Sequence, residues 1–410
     1  MVAATRLLEV SNVRIFCFFR LREKSKSYIV PNTIRRISLI PLRIPIPIDR
    51  VNCPDFFHEM LHRGGPGGEF GGDTFFGDVP FTVVRIEGDG GPDGWSDSSR
   101  YSFNDQNVKP EVIDYAARFL GADSDDIDPR APHMGIDIGD EFQPALEVQT
   151  AVIDWAALQR EAPLHTLFGE QIRDRIRVEY WSGFRTPAGV EGVAREARSL
   201  GFKGLKLKAN LEIDIAGVTD AVFRGGGSDF RFNIDPNGRW KTVEQAVERA
   251  LAMLEVSPNV LLEDPIYDTP AVAEVRRLTG IPTARTVGSV KAIEDALVLD
   301  AADVFNIGNL WNTRIELSEM LENAHMPYWI GSGMETGLMD LASAHFAATQ
   351  PACTIGSDLV GNLFREDDLL VEPIQFEGGH LVLPEGPGRG IKTDEDAIER
   401  YRVGDPTVVE

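Results

Sequence analysis

Cysteine, basic residues and long apolar runs are scarce in this chain of 410 residues, and each scarcity argues against a class of protein or partner. Cys17, Cys53 and Cys353 are odd in number, far apart and without metal-ligand spacing, so a disulfide framework is not expected. No apolar run approaches the ~20 residues of a membrane span. Basic residues number 41 against 64 acidic ones, and the net charge of −23 disfavours nucleic acid or an anionic membrane as a partner.

Only nine of the 41 basic residues are lysine, yet two of them stand in the run Lys206-Leu-Lys208. The run has strand character, and side chains two apart on a strand share one face. Two ammonium groups that are close together and partly desolvated depress each other's pKa, so that one of them can be neutral near pH 7 and accept a proton. The alternative is an exposed edge strand with two solvated lysines.

Composition and periodicity divide the chain into four parts. Residues 1–32 lack periodicity and are interpreted as disordered or extraneous to the native protein. Residues 33–165 read as strands followed by helices, which predicts an α+β domain, and their Gly-rich stretch 64–77 is either a mobile lid or an ordinary hairpin connection. Residues 166–367 form the largest part, and 368–410 are a C-terminal segment.

Strand-like runs alternate with amphipathic helices through the largest part of the chain. An alternation of eight strands with seven helices predicts a (β/α) barrel rather than an open sheet. A hairpin pattern at 375–384 follows, and we expect that hairpin to return to the N-terminal domain. The predicted barrel strands are 176–181, 204–209, 230–235, 260–264, 281–286, 303–307, 328–332 and 353–358.

Carboxylates stand at the ends of two of these strands, where a barrel places its functional groups. The third strand ends in Asp235 with Asn237 beside it, and the fourth ends in Glu263 and Asp264. Carboxylates on neighbouring strand ends make an oxygen-rich pocket suited to a hard cation such as Mg²⁺. A metal that binds a substrate carboxylate beside a lysine base is the arrangement that removes a proton α to that carboxylate. The alternative for Asp235 and for Glu263 is capping of the following helix.

Seven short stretches, in their order and spacing, carry a resemblance to a known family: 81–87, 145–154, 206–208, 234–238, 263–265, 331–337 and 387–390. Over residues 33–395 the chain resembles the enolase superfamily, in its mandelate racemase and muconate-lactonizing branch. The resemblance implies a (β/α)7β modified TIM barrel under an α+β capping domain, which the C-terminal segment completes. It also implies Mg²⁺ and a carboxylate substrate. By position, it makes Lys208 the base, Lys206 its electrostatic partner, and Asp235 and Glu263 metal ligands.

Two sites in the sequence depart from the pattern of that family. Its third metal ligand, an acid or Asn, ends the fifth strand, where this chain has Arg285 and Thr286. Thr286 could be a weak ligand, and either residue could instead bind a substrate carboxylate. The family's second base is expected near Gly308, and dehydratases of the group have His at the position of Gly333. The polar residues that remain as candidates at the mouth are Asn306, Glu335 and Asp358.

These features favour a Mg²⁺-dependent enzyme that takes the α-proton of a small carboxylic acid, such as an acid sugar, and acts as a dehydratase-like lyase. A lyase is preferred because only one face of the site has an evident base. One alternative is a racemase, epimerase or cycloisomerase with Glu335 or a loop residue as second acid. Another is a diverged barrel that binds an acid without turnover. We expect a cytoplasmic homo-oligomer without nucleic-acid or membrane partners.

Overall fold

The computed structural model describes residues 32–59, 61–62, 74–75, 80–97, 103–104, 107–137, 144–308 and 310–410. The predicted extension 1–32 lies outside these residues except for Asn32, and so does the predicted lid at 64–77 except for residues 74–75.

An antiparallel sheet forms the core of the first domain. Strand β1 (Ile34–Leu42) pairs with β4 (Phe81–Gly88), which pairs with β5 (Gly94–Asp97). Helix α3 (Leu146–Gln159) packs on this sheet. A Cβ on Gly94 would lie 2.3 Å from the Cβ of Trp155 in this helix, so the close approach requires glycine. The other elements of this part are β2 (Leu61–His62), β3 (Thr74–Phe75), β6 (Phe103–Asn104), β7 (Asn107–Val108), α1 (Ile48–Val51), α2 (Pro110–Ala117) and α3 (Leu146–Gln159).

Eight short strands and seven helices follow in alternation. Six of the seven helices begin after a Ser, Thr or Asp whose side chain accepts a backbone N–H of the first turn, which is why each loop ends where it does. The strands are β8 (Arg175–Arg177), β9 (Tyr180–Ser182), β10 (Gly204–Lys208), β11 (Arg231–Asp235), β12 (Val260–Glu263), β13 (Thr283–Val287), β14 (Val304–Ile307) and β15 (Tyr328–Ile330). The helices are α4 (Pro187–Ser199), α5 (Ile215–Gly226), α6 (Val243–Val256), α7 (Thr269–Thr279), α8 (Val290–Val298), α9 (Trp311–Asn323) and α10 (Gly337–Ala347).

Strands β9 to β15 form one parallel sheet in chain order, but both ends of the predicted barrel differ from expectation. The predicted first strand, 176–181, is two strands, β8 and β9. Val178 lies between them and makes an isolated parallel bridge with Ser357. The predicted eighth strand, 353–358, makes only isolated bridges, Val178 with Ser357 and Tyr328 with Cys353. These parallel bridges join the eighth run to both ends of the sheet and close the barrel.

The C-terminal segment completes the capping sheet through its last strand. The hairpin of β16 (Phe376–Glu377) and β17 (His380–Val382) pairs with β8, so the prediction that it returns to the N-terminal domain was wrong. After α11 (Glu395–Tyr401), strand β18 (Thr407–Val409) instead pairs antiparallel with β1. No helix among the described residues is long and apolar enough to cross a membrane.

Strand register determines which side chains point into the barrel. Residues opposite each other in parallel strands point to the same side, and Lys206 is opposite Asn233, while Lys208 is opposite Asp235. A layer of apolar side chains, buried or partly buried, lies on the same interior face, nearer the amino ends of the strands than the charged residues. Its members are Leu261, Ala284, Val304, Trp329 and Ile355.

A buried ion pair joins the capping helix α3 to the C-terminal segment. Arg389 lies 2.8 Å from Asp154, and the two side chains are 3% and 1% exposed. We expect Arg389→Met to lower the free energy of unfolding by about 3–5 kcal/mol, because it leaves the Asp154 carboxylate buried without its partner. Urea denaturation would measure this. The exposed pair of Arg400 with Asp367 provides the control, since Arg400→Met should cost less than about 1 kcal/mol. Equal losses in the two variants would contradict the expectation.

Candidate active site

Polar side chains of five neighbouring strands, and of the end of the eighth run, meet at the carboxyl end of the barrel. The strands supply them at alternate positions, which is the period of a strand whose one face is the barrel interior. The group consists of Lys206, Lys208, Asn233, Asp235, Glu263, Thr286, Asn306 and Asp358.

Lys206 is at the centre of this group. Its Nζ lies 2.9 Å from both carboxylate oxygens of Glu263, 3.3 Å from Asp358 and 3.4 Å from Asp235. The ammonium also lies 5.6 Å from the centre of the Trp329 ring. Lys206 is only 4% exposed, so this one cation balances carboxylates that would otherwise be buried without a counter-charge.

For Lys206, these contacts correct the expectation that its pKa is depressed by the neighbouring lysine. Burial lowers the pKa of Lys206, but Asp358, Glu263 and Asp235 together outweigh burial and raise it well above its usual range. The surrounding carboxylates therefore favour the charged form of Lys206. The neighbouring lysine is evident in the sequence, whereas the three carboxylates that raise the pKa of Lys206 are brought to it by the fold.

Lys208 pairs with Asp235 at the end of the same interior face. Its Nζ lies 2.5 Å from Asp235 Oδ2, and Asp235 Oδ1 accepts the backbone N–H of Asn237 at 2.9 Å. Burial raises the pKa of Asp235, yet Lys208 and Lys206 outweigh that effect, so the pKa of this carboxyl is lowered. Asn237 itself holds a left-handed backbone (φ 48°), which asparagine tolerates better than most residues.

Glu263 accepts hydrogen bonds from two amide side chains, of which the sequence analysis named one. Asn233 and Asn306 each donate to one of its oxygens at 2.8 Å, and the Thr286 hydroxyl lies 3.3 Å away. Burial and the nearby Asp235 raise the pKa of Glu263 to about 7. Asn306 was a candidate, whereas Asn233 was missed. The signal was available, because Asn233 stands two residues before Asp235 on the same strand face.

Arg285 and Asp264 form a separate pair beside this group. Arg285 Nη1 lies 2.8 Å from Asp264 Oδ1, and its guanidinium also donates to the carbonyls of Ile266 and Tyr267 at 2.9 Å. Arg285 is one position away from Thr286 and therefore points to the opposite face of β13. These contacts fix the loop after β12, and a role of Arg285 in binding substrate remains a prediction.

The oxygen donors of the site match a magnesium ion in type and are few in number. No cluster of three or more His, Cys, Asp or Glu side chains that could hold a metal occurs in the described part of the chain. Asp235 and Glu263 offer carboxylate oxygens, and Thr286 adds a hydroxyl on the same interior face. Magnesium is commonly bound by one or two carboxylates together with water and substrate, so this donor set fits it.

Glu335 and Gly308 are the two positions considered for a second acid or base. Glu335 is buried, accepts the N–H of Gly333 at 2.6 Å, and has a pKa raised by burial. At Gly308, where a second base was sought, a Cβ would meet only the carbonyl of Gly331 at 4.0 Å. The position therefore has room for a side chain and supplies no acid or base of its own.

The capping domain fixes the loop that carries Glu335, which the sequence did not indicate. Asp97, at the end of β5, accepts the backbone N–H groups of Thr336 at 2.7 Å and Met339 at 3.1 Å, in the first turn of α10. Arg365 donates to the carbonyl of Met334 at 2.6 Å. The residues on either side of Glu335 are therefore held by hydrogen bonds that cross between parts of the fold.

A closed parallel barrel with paired lysines and carboxylates at its mouth, covered by an antiparallel cap, defines a class of capped barrel enzymes. The chain belongs to the enolase superfamily, in its mandelate racemase and muconate-lactonizing branch, because residues 190–397 match the family described as Enolase C-terminal domain-like. This confirms the resemblance found in the sequence.

Three relatives show the range of reactions in the family. Muconate cycloisomerase 1 of Rhodococcus opacus is 31% identical over 278 residues, which cover 62% of this chain and 70% of the relative. Probable glucarate dehydratase of Streptomyces coelicolor is 29% identical and matches 61% of this chain and 63% of its own length. L-Ala-D/L-Glu epimerase of Bacillus subtilis is 26% identical, with 60% and 69% covered. The relatives are thus lyases and isomerases.

Solved structures confirm the fold. N-succinyl Arg/Lys racemase from Bacillus cereus superposes with a TM-score of 0.73 at 20% identity, covering 92% of this chain and 100% of the racemase. Muconate cycloisomerase from Pseudomonas fluorescens gives 0.71 at 17% identity, covering 91% and 100%. The predicted capped barrel is therefore correct, while the roles of individual site residues stay predictions.

Asp97 makes stability depend on pH in an unusual direction. Burial raises its pKa to about 8, so the folded chain keeps a proton that the unfolded chain releases above about pH 4. The contribution of Asp97 to stability must then fall as pH rises from about 4 to about 8. We expect the free energy of unfolding of Asp97→Asn, relative to the unchanged protein, to increase by a few kcal/mol over this range.

Chemical denaturation at a series of pH values would measure this difference. Asp396→Asn removes an exposed carboxyl and is the control, whose difference from the unchanged protein should stay flat. A relative stability of Asp97→Asn that stays flat over this range, as in the control, would show that Asp97 is ionised in the folded protein.

Proposed function

We propose that this chain removes the α-proton of a small carboxylic acid and eliminates a β-hydroxyl group, as a dehydratase-like lyase. The observation that carries the proposal is the placement of Lys208 beside Asp235, with Lys206 and Glu263 next to them, on one side of the mouth. The other side has Gly308 where a second base would stand. The relatives named as dehydratase and cycloisomerase support this class of reaction.

The lysines divide the chemistry between them. Lys208, in its neutral form, takes the α-proton on its Nζ, and the electron pair of the C–H bond moves into the substrate carboxylate. Lys206 stays charged and stabilises the negative charge that develops there. Asp235 and Glu263, with Thr286, would hold Mg²⁺, which when bound supplies further positive charge to the carboxylate oxygens.

The departing hydroxyl needs a proton to leave as water. In a site with one base, protonated Lys208 donates this proton to a hydroxyl on the same face of the substrate. The hydroxyl leaves as water, Lys208 is neutral again, and the reaction balances. With an acid-sugar substrate, which carries a hydroxyl on the α-carbon as well, the product is an enol that tautomerises to a 2-keto acid. A racemase or epimerase is the second candidate, favoured by Glu335, a buried acid with a raised pKa in the loop after β15.

Deuterium exchange tests the base directly. Acid sugars incubated with the protein in D₂O and Mg²⁺ should exchange the α-proton from one face, and Lys208→Ala should lower the rate by at least about a hundredfold, because general-base catalysis contributes that much. Lys203→Ala removes an exposed lysine just before the same strand and should leave the rate unchanged. Undiminished exchange in Lys208→Ala would show that another group is the base. Exchange from both faces would favour the racemase.

Magnesium affinity tests the proposed ligand set. With two carboxylates and one hydroxyl, we expect weak binding, and Thr286→Asn should tighten it about tenfold, because an amide oxygen is a better ligand in place of the hydroxyl. Thr286→Val keeps the shape, removes the oxygen and should weaken binding. Isothermal titration calorimetry of the three proteins measures the constants. Identical constants would place the ion elsewhere.

A further inference from the structure

A charged group lies at the rim of the mouth and is not used in the mechanism above. We name it the rim group, and it consists of Glu59, Asn210 and Arg239. Glu59 comes from the capping domain, Asn210 follows β10 by two residues, and Arg239 follows Asp235 by four. Asn210 donates to Glu59 at 2.8 Å, and Arg239 Nε lies 3.8 Å from the other Glu59 oxygen. The group thus joins the cap to the ends of two barrel strands.

The backbone around Arg239 is rigid. Gly238 donates its N–H to the carbonyl of Asp264 at 2.8 Å, and Trp240 donates its N–H to Pro265 at 3.2 Å. The Trp240 side chain is fully buried and donates to the carbonyl of Asn210 at 3.3 Å. Arg239 therefore has a fixed Cα, and only its side chain can adjust to a ligand.

The guanidinium of Arg239 has unused donors. An arginine carries five N–H groups, and among the described residues Arg239 makes one hydrogen bond, to the carbonyl of Pro236 at 3.1 Å. Its contact with Glu59 is longer than a hydrogen bond. The side chain is 34% exposed, and its Cζ lies 5.2 Å from the centre of the buried Phe184 ring, which supports the flat face.

The other cations of the site are committed elsewhere. Lys206 and Lys208 each lie within 3.4 Å of buried carboxylates, and Arg285 pairs with Asp264. Among these four cations, Arg239 alone has no carboxylate within hydrogen-bond distance in the described part of the chain, since Glu59 lies 3.8 Å away. In a protein of net charge −23, a doubly negative ligand would need such a local cation.

We propose that Arg239 binds a second, distal carboxylate of the substrate, so that the substrate class is a dicarboxylic acid. The inference rests on the proposed function for the reacting end of the molecule. The planar guanidinium can hold a carboxylate through two parallel hydrogen bonds, with Phe184 behind it. Glu59 competes for the guanidinium, and the distal carboxylate replaces it as the partner of Arg239. Glu59 keeps its hydrogen bond from Asn210. A single guanidinium beside a carboxylate suits a singly charged group better than a dianionic phosphate.

Matched pairs of unreactive acids test this proposal in the full chain with Mg²⁺ present. The probes are succinate and butyrate, glutarate and pentanoate, and adipate and hexanoate, which differ within a pair by the distal carboxylate alone. Calorimetric or competition titration gives the affinity ratio of each pair. We expect at least one dicarboxylate to bind about tenfold or more tightly than its partner, as for a hydrogen-bonded charge pair.

Three variants separate a direct contact from a general charge effect. Arg239→Met should bring the ratio close to one, and Glu59→Gln should increase it, because the competing carboxylate is gone. Lys241→Met removes the same charge from the same loop, where the ammonium lies 3.2 Å from the carbonyl of Gly238, and should leave the ratio unchanged. A purely structural Arg239–Glu59 contact would instead make Glu59→Gln neutral or harmful.

Two results would overturn the proposal. One is the absence of any pair in which the dicarboxylate binds more tightly, and the other is a preference that survives in Arg239→Met. Both are separate from the proposed reaction, since these probes report binding. Failure of α-proton exchange with an intact Arg239-dependent preference would reject the lyase and keep the dicarboxylate site.

Discussion

One buried ammonium group, that of Lys206, holds the centre of the molecule together. It touches carboxylates from β11, from β12 and from the end of the eighth run, which is about a hundred residues further along the chain. A buried carboxylate without a partner is strongly unfavourable, so Glu263 and Asp358 are stabilised at the barrel mouth by this cation, while Asp235 has Lys208 as well. The contacts of Lys206 therefore join the eighth run to the earlier strands where the barrel closes.

The cap contributes to the site by holding barrel residues as well as by covering them. Asp97 fixes the start of α10, Glu59 meets Asn210 at the rim, and Arg389 ties the C-terminal segment to α3. Each contact satisfies a polar or charged group that would otherwise be buried unpaired. The loop with Glu335 and the rim with Arg239 are consequently positioned by residues from outside the parallel sheet.

Local periodicity was enough to predict much of the fold and the centre of the site. The alternation of strands and helices identified the barrel, and residue parity brought Lys206, Lys208 and Asp235 to one face. The same parity, applied further, would have found Asn233 and would have placed Arg285 outside the interior group. The predicted first strand and the hairpin were misassigned because their pairing depends on partners distant in sequence, which periodicity does not identify.

Long-range contacts also explain why the lysine pair was misjudged. A neighbouring cation lowers the pKa of a lysine, but close carboxylates raise it, and three carboxylates lie within 3.4 Å of Lys206. The distinction between the two lysines thus follows from depth. Lys206 is one step deeper, where it meets Glu263 and Asp358, whereas Lys208 is at the strand end and has Asp235 as its partner. Two positions on one strand thus place one ammonium among buried carboxylates and the other at the strand end, where the mouth opens.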